Sequence, residues 1–272
     1  MTWTTYTSLL EDIKIHYLRN GQHDDRQTVI LLHGITDSGA CFKRVGALLS
    51  ATYDVIMPDC RGHGESDAPK TGYELSYFAD DIVRLITALG VYHPIIIGHS
   101  MGAETASVIA STGQSFVKAL VLEDPPFRAK KPTPHQITAT VNWWENSIIQ
   151  QKKRSFASLI EEAQTQFRWS EEDSTTWADS KRKASPHLTE YIRNQPEHEW
   201  RETLKQVKCP ALLLTGDVEG KGAIMTGEIS EEVKTLMPTA EIVNIPNAGH
   251  SIRRDQFEAY INAVMIFLKK LA

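Results

Sequence analysis

One serine in the sequence has the surroundings that a nucleophile needs. Residues 98–102 read Gly-His-Ser-Met-Gly; three isoleucines precede them and a stretch rich in alanine and serine follows. This pattern predicts a strand, a sharp turn and a helix, and a turn of that kind needs small neighbours, here Gly98 and Gly102. Ser100 is therefore the candidate nucleophile. The Met101 N–H, at the start of the predicted helix, can face an oxyanion that develops during attack.

Length, composition and charge limit the class of protein. The chain has 272 residues, of which 41% are hydrophobic and 23% charged, as expected for one large α/β domain or a core with an inserted subdomain. The net charge of −5 argues against a nucleic-acid partner. The histidines are scattered without the spacing of a metal site, so no metal is expected. No apolar run approaches the roughly 18 residues of a membrane span.

The cysteines and the first residues indicate a compartment. Cys41, Cys60 and Cys209 are odd in number and form no CxxC pair, which favours reduced thiols. The first residues lack the basic and apolar regions of a secretory signal. We therefore expect a cytoplasmic protein, with a monomer and a homodimer both open.

Apolar runs alternate with helical patterns along most of the chain. This order predicts a mostly parallel sheet with helices on both faces. Residues 13–18 alternate apolar and polar, which predicts an antiparallel edge strand, with a turn at 20–27. Ser76 is the expected cap of a helix over 77–89. The buried strands are predicted at 28–32, 53–57, 95–97, 116–122, 211–215 and 241–245. Ligands of such sheets lie beyond the carboxyl ends of the strands.

The α/β pattern stops between residues 127 and 201. This segment shows no buried strand, has helical stretches at 136–149, 156–167 and 188–194, and contains five of the six tryptophans. We predict a helical cap over 127–201, inserted into a core of 1–126 and 202–272.

The tryptophans of the cap have two possible roles. They build the small core of the cap, or some of them line an apolar pocket over Ser100, with Trp143, Trp144 and Trp169 as candidates. The charged runs 152–154 and 181–183 are predicted to be solvated helix faces.

Five short stretches, in this order along the chain, resemble the α/β-hydrolase fold family. They are His33-Gly34, the loop 59–66, the turn 98–102, the strand end 216–219 and residues 247–250. The resemblance covers nearly the whole chain. It implies an α/β-hydrolase fold, that is, a mostly parallel central sheet covered by helices with an inserted helical cap. It also implies a nucleophile–acid–histidine triad, an oxyanion hole and no cofactor.

The resemblance also implies roles for individual residues. His250 follows the last strand, where the family has its histidine, and would be the general base. Ile35, directly after His33-Gly34, would supply the second oxyanion-hole N–H beside Met101. His33 is either a structural residue or part of the substrate pocket.

The acid of the triad has three candidates. The usual family position, three residues after the glycine that ends the seventh strand, is Glu219. Asp217 is closer to that glycine than the pattern requires. A subset of the family has its acid after the sixth strand, where Asp124 stands. Glu219 is the first choice, and the other two remain alternatives.

Together these features predict a serine hydrolase that cleaves a carboxylic ester or lactone through an acyl-enzyme. The aromatic cap suggests a small apolar or aromatic substrate. The same triad serves C–C bond hydrolases and cofactor-free perhydrolases, which stay as alternatives. A ligand receptor or regulator that does not turn over is the alternative from another class, and turnover would distinguish it.

Overall fold

A computed structural model of the chain describes residues 2–20, 25–113 and 116–271, so the predicted turn at 20–27 lies partly outside the described residues. The strands are β1 (Thr4–Leu10), β2 (Ile13–Arg19), β3 (Thr28–Leu32), β4 (Asp54–Pro58), β5 (Ile95–His99), β6 (Ala119–Glu123), β7 (Ala211–Thr215) and β8 (Ala240–Asn244). The helices are α1 (Lys43–Leu49), α2 (Leu75–Ala88), α3 (Met101–Thr112), α4 (Pro134–Lys153), α5 (Phe156–Thr165), α6 (Glu171–Lys183), α7 (Thr189–Asn194), α8 (Trp200–Gln206), α9 (Gly227–Leu236), α10 (Ile252–Asp255) and α11 (Phe257–Lys269).

The strands form one sheet in the order β1-β2-β4-β3-β5-β6-β7-β8. From β4 to β8 all neighbours pair in parallel, whereas β1 and β2 pair antiparallel to each other and β2 antiparallel to β4. The predicted mostly parallel sheet is thus confirmed. The prediction that residues 13–18 form the edge was wrong, because β1 lies outside β2. That strand escaped prediction because its threonine- and serine-rich sequence is exposed almost throughout and has no apolar face.

The side chains of the continuous apolar strands pack into two hydrophobic layers, one on each face of the sheet. In β3, Ile30 and Leu32 pack into the layer under α2, α3 and α9, whereas Val29 and Leu31 pack into the layer under α1 and α11. Successive strand residues point to opposite faces, so a strand covered on both sides must be apolar throughout. This arrangement leaves the carboxyl ends of the parallel strands as the edge where polar loops can meet.

The segment between β6 and β7 holds α4 to α8 and, among its described residues, no strand. Helices α4, α5, α6 and α7 pack mainly on one another, whereas α8 packs on α3 and α9. The predicted boundary at residue 201 therefore falls within a helix that contacts the core. No helix in the described ranges is both long and apolar enough to cross a membrane.

Two helix predictions need correction. Helix α2 begins at Leu75 and follows Glu74, so Ser76 is not its cap. Helix α6 was not predicted because it has few apolar residues. It is favoured locally by the Ser170 side chain, which accepts the Asp173 N–H, and by acidic residues in its first turn and basic residues in its last.

The turn between β5 and α3 leaves no room for side chains at its two glycines. A Cβ on Gly98 would overlap the carbonyl oxygen of Gly102, and a Cβ on Gly102 would overlap that of Leu32 in β3. Only glycine allows the helix to start this close to two strands. The two glycines of the predicted turn are therefore packing requirements.

We expect Gly102→Ala to lower the free energy of unfolding by at least about 2 kcal/mol, because the added methyl group would displace backbone atoms. The matched control is Gly227→Ala, at the first position of α9, where a Cβ meets no atom within 4 Å. Urea unfolding of both variants measures the difference. Equal midpoints for the two variants would contradict the packing explanation.

Candidate active site

The backbone of Ser100 is strained in the way the turn requires. Its φ and ψ are 52° and −119°, and its side chain is 6% exposed. The Ser100 N–H donates to the carbonyl of Glu123 at 2.9 Å, and the Ser100 carbonyl accepts the N–H of Glu104. Such backbone conformations are costly for residues other than glycine and cluster at functional sites. Ser100 is thus held from both sides at the lining of a cavity of about 260 Å³.

His250 lines the same cavity and contacts a buried carboxylate. Its Nδ1 lies 2.6 Å from Oδ2 of Asp124. Because a carboxylate only accepts, the proton is on Nδ1, which leaves Nε2 free to accept another. Asp124 is fully buried and also accepts the N–H groups of Ile224 at 2.8 Å and Met225 at 2.9 Å. This is the arrangement that a histidine general base requires.

The structure brings the alternative Asp124, and not the first choice Glu219, to His250. Glu219 is exposed in the loop after β7. Asp217 accepts the N–H of Asn247 at 2.7 Å and so fixes the turn before His250. The loop after β7 was expected to carry the acid. It instead supplies the N–H of Ile224, which donates to Asp124.

The loop after β3 lies against the nucleophile. A Cβ on Gly34 would be 3.2 Å from Cβ of Ser100. Thr36 has a φ of +61°, and its N–H donates to Nε2 of His63 at 3.1 Å. The residue between them, Ile35, lines the cavity with Ser100. The loop is therefore fixed beside Ser100, and Met101, the residue after Ser100, begins α3.

Two histidines near the site are structural. His33, a pocket candidate, is fully buried and does not line the cavity. Both ring nitrogens are bound to backbone groups: Nδ1 donates to the carbonyl of Gly34, and Nε2 accepts the N–H of Cys60. Burial lowers the pKa of this imidazole. His99 lies beside His250 and its Nε2 donates to the carbonyl of His250 at 2.8 Å. Burial, with Arg253 nearby, holds the pKa of His99 well below its usual range.

Helical faces from the segment 127–201 form the opposite wall of the cavity. Trp144 is on one face of α4 with Ile137 and Thr140, and Trp169 lies before α6. Trp143 is 62% exposed and does not line the cavity, since successive helical residues point about 100° apart. The lining residues that sequence reasoning missed include Trp177, Lys181, Tyr191, Gln195 and Arg254.

Lys181 corrects the prediction that 181–183 is a solvated face. Its side chain is buried, and its Nζ lies 2.6 Å from Oγ1 of Thr36 and 3.0 Å from Oδ1 of Asp37. The sequence did contain a signal for this burial, because Trp177 and Lys181 are four residues apart and therefore share a helix face. Lys183, by contrast, is at the surface and pairs with Asp179.

The Asp37 carboxylate forms salt bridges with three cationic side chains. Besides Lys181 it contacts Arg253 at 3.1 Å and Arg254 at 3.0 Å. Burial alone would raise the pKa of Asp37, but the charges of Arg254, Lys181 and Arg253 hold it well below its usual range. Arg253 also binds Glu123 at 3.2 Å. This ion cluster joins α6 to the loop after β3 and to α10.

A second buried carboxylate joins α3 to the cavity wall. Glu104 accepts the Tyr191 hydroxyl at 2.6 Å and the Gln195 amide at 2.8 Å. Burial raises the pKa of Glu104 to about 7, although these hydrogen bonds and the nearby Arg128 favour its ionised form. Among the described residues, no group of three or more His, Cys, Asp or Glu side chains could hold a metal ion.

With this geometry the family can be assigned. A profile described as alpha/beta hydrolase fold matches residues 27–252. The chain therefore belongs to the α/β hydrolase family, and it is an enzyme of the hydrolase class, as the sequence predicted.

Several known proteins are similar to this chain, two of them over most of its length and one over about a third. Over 265 residues it is 29% identical to the N-formylmaleamate deformylase of Pseudomonas putida, a match that covers 94% of this chain and 93% of that protein. A 96-residue stretch, 35% of this chain and 34% of the other, is 41% identical to the 2-(acetamidomethylene)succinate hydrolase of Mesorhizobium japonicum. A crystal structure of E-2-(acetamidomethylene)succinate hydrolase has a TM-score of 0.81 at 21% identity, covers 98% of this chain and 100% of that one, and shows the same fold.

The raised pKa of Glu104 gives a pH prediction. Between pH 4.5 and about 7 the folded protein keeps a proton on Glu104 that the unfolded chain has lost, so the contribution of Glu104 to the free energy of unfolding falls as pH rises through this range. The buried histidines, whose pKa values are lowered, contribute in the opposite direction. We expect Glu104→Gln to remove the Glu104 contribution, which amounts to up to about 3 kcal/mol, and so to change the slope. Urea unfolding across the range measures it. The control Glu231→Gln, at an exposed helix position, should retain the wild-type slope. A slope that Glu104→Gln leaves unchanged would contradict the prediction.

Proposed function

We propose that the protein is a serine hydrolase that cleaves a small carboxylic ester or lactone through an acyl-enzyme. The observation that supports this most is the 2.6 Å contact of His250 Nδ1 with buried Asp124, in a cavity that Ser100 also lines. A buried acid that fixes the tautomer of a histidine beside a strained serine is the arrangement used for acyl transfer.

In the proposed mechanism, the Ser100 hydroxyl oxygen attacks the substrate carbonyl carbon while Nε2 of His250 takes its proton. The N–H groups of Met101 and Ile35 stabilise the oxyanion. His250 then gives the proton to the leaving oxygen as the carbon–oxygen bond breaks. A water molecule, deprotonated by His250, attacks the acyl-enzyme and releases the acid and Ser100. Asp124 keeps the proton on Nδ1 and stabilises the imidazolium that forms.

The helical segment 127–201 is, in this proposal, a cap that shapes the substrate pocket. Trp144, Trp169 and Trp177 supply apolar surface to the cavity, which supports a substrate with an apolar part. Cytoplasmic localisation and a monomer or homodimer stay predictions.

A second candidate is hydrolysis of an N-acyl bond by the same steps, with a nitrogen leaving group. It is favoured by the similarity to the two relatives, because N-formylmaleamate and 2-(acetamidomethylene)succinate both carry a formyl or acetyl group on nitrogen. Release of formate or acetate from these two compounds, compared with hydrolysis of p-nitrophenyl butyrate, would decide between the candidates.

Variants of Ser100 and of two acid candidates, Asp124 and Glu219, test the proposed triad. On p-nitrophenyl butyrate, or on the better N-acyl substrate, we expect Ser100→Ala to be inactive. Asp124→Asn should lose on the order of 10⁴-fold in kcat, since the histidine loses the partner that fixes its tautomer. Glu219→Gln should keep activity close to that of wild type.

Folding of each variant is checked by its unfolding midpoint, because Asp124 also accepts two backbone N–H groups. A well-folded Asp124→Asn with normal kcat would remove Asp124 from the triad. If a fluorophosphonate labels the wild type and labels Ser100→Ala equally, Ser100 is not the nucleophile.

A further inference from the structure

We propose that Lys181 and Arg254 form a binding site for a carboxylate of the substrate, so that the enzyme acts on acyl derivatives of short dicarboxylic acids. This inference rests on the hydrolase function proposed above and adds the charge of the substrate. The two side chains come from α6 and α10, are 6% and 5% exposed, and both line the cavity that contains Ser100.

The ion cluster behind this wall has an excess of positive charge. Lys181, Arg253 and Arg254 contribute three cations, whereas Asp37 and Glu123 contribute two carboxylates. Each cation contacts a carboxylate of the cluster, so the excess is one positive charge, which is unfavourable in a buried position. A carboxylate in the cavity would balance this charge.

The rest of the cavity lining does not supply that negative charge. Asp37 is its only acidic residue among those described, against the three cations Arg128, Lys181 and Arg254. Arg128 is in none of the salt bridges of the described ranges, and the pKa of Glu104, whose ionised form Arg128 favours, is raised to about 7 by burial. The side chains that line the cavity are therefore positive overall, which favours an anionic ligand. Two further carboxylates, Asp124 and Asp255, contact the lining residues His250 and Trp169 from behind the lining.

Donor capacity also remains on the two side chains. Nη2 of Arg254 binds Asp37, and Nζ of Lys181 binds Thr36 and Asp37, which leaves one of the three ammonium N–H groups for a ligand. The guanidinium lies 4.7 Å from the Trp169 ring centre, and Nζ of Lys181 lies 5.5 Å from that of Trp177. These rings and Asp37 fix the cations in place, so an anion meets a preformed site.

The position of this site limits the length of the substrate. Lys181 donates to the Thr36 hydroxyl, and Thr36 directly follows Ile35, the proposed oxyanion donor. A carboxylate at Lys181 and a carbonyl oxygen at Ile35 would thus be separated by only a few bonds. Half-esters and N-acyl derivatives of short dicarboxylic acids have this separation.

The test compares two esters that differ only in this charge, p-nitrophenyl hydrogen glutarate and p-nitrophenyl valerate. Rates are corrected with Ser100→Ala for spontaneous hydrolysis. We expect wild type to prefer the glutarate ester in kcat/KM. Lys181→Met and Arg254→Met should each lose about 10- to 100-fold on the glutarate ester, mainly through KM, and little on valerate. Lys181→Arg should restore part of the preference.

The matched control is Arg182→Met, which removes a positive charge from the next, exposed position of α6 and should preserve the preference. The preference of the wild type itself needs no variant, so the proposal stays testable if Lys181→Met and Arg254→Met fail to fold. Hydrolysis of both esters without a preference for glutarate would overturn the carboxylate site and leave the hydrolase function intact.

Calorimetric titration of Ser100→Ala with glutarate separates the remaining outcomes. We expect glutarate to bind, and to bind at least tenfold more weakly when Lys181→Met is added. If glutarate binds but neither ester nor either N-acyl compound is hydrolysed, the carboxylate site stands and the proposed function falls. Absence of glutarate binding would overturn the site.

Discussion

The Asp124 carboxylate connects three segments that are far apart in sequence. It directly follows β6, accepts two N–H groups from residues 224–225, and lies within hydrogen-bond distance of the imidazole of His250. A buried carboxylate without partners would be strongly unfavourable, so these three donors are required together. The contact of Asp217 with Asn247 fastens the same two loops a second time. The histidine therefore has a fixed position even though it lies in a loop.

The parts of this site that sequence reasoning predicted are those with local causes. Ser100 needs small neighbours within two residues, and the strands need continuous apolar runs, so both leave a pattern in the sequence. The partner of His250 leaves none, because it depends on the path of the loop over 216–225. The position implied by the family resemblance favoured Glu219, yet that loop directs two backbone donors to Asp124 and leaves Glu219 exposed.

Lys181 is a second residue whose role depends on contacts between distant parts of the sequence. Its position in the sequence predicted exposure, whereas the structure buries it. A run of three basic residues normally indicates a solvated face, and Arg182 and Lys183 are indeed exposed. Lys181 differs only because α6 packs over Asp37, a contact between residues 144 positions apart. Only the tertiary fold brings these residues together. The resulting ion pair fastens the helical segment to the sheet and gives the cavity its charge.

Helix α3 connects the two sides of the cavity. Its first residue follows Ser100, and one turn later Glu104 binds Tyr191 and Gln195 in the opposite wall. Any opening that moves α7 away from α3 must break both of these buried hydrogen bonds. These two hydrogen bonds therefore tie residues 191 and 195 of that wall to the same helix that starts directly after Ser100.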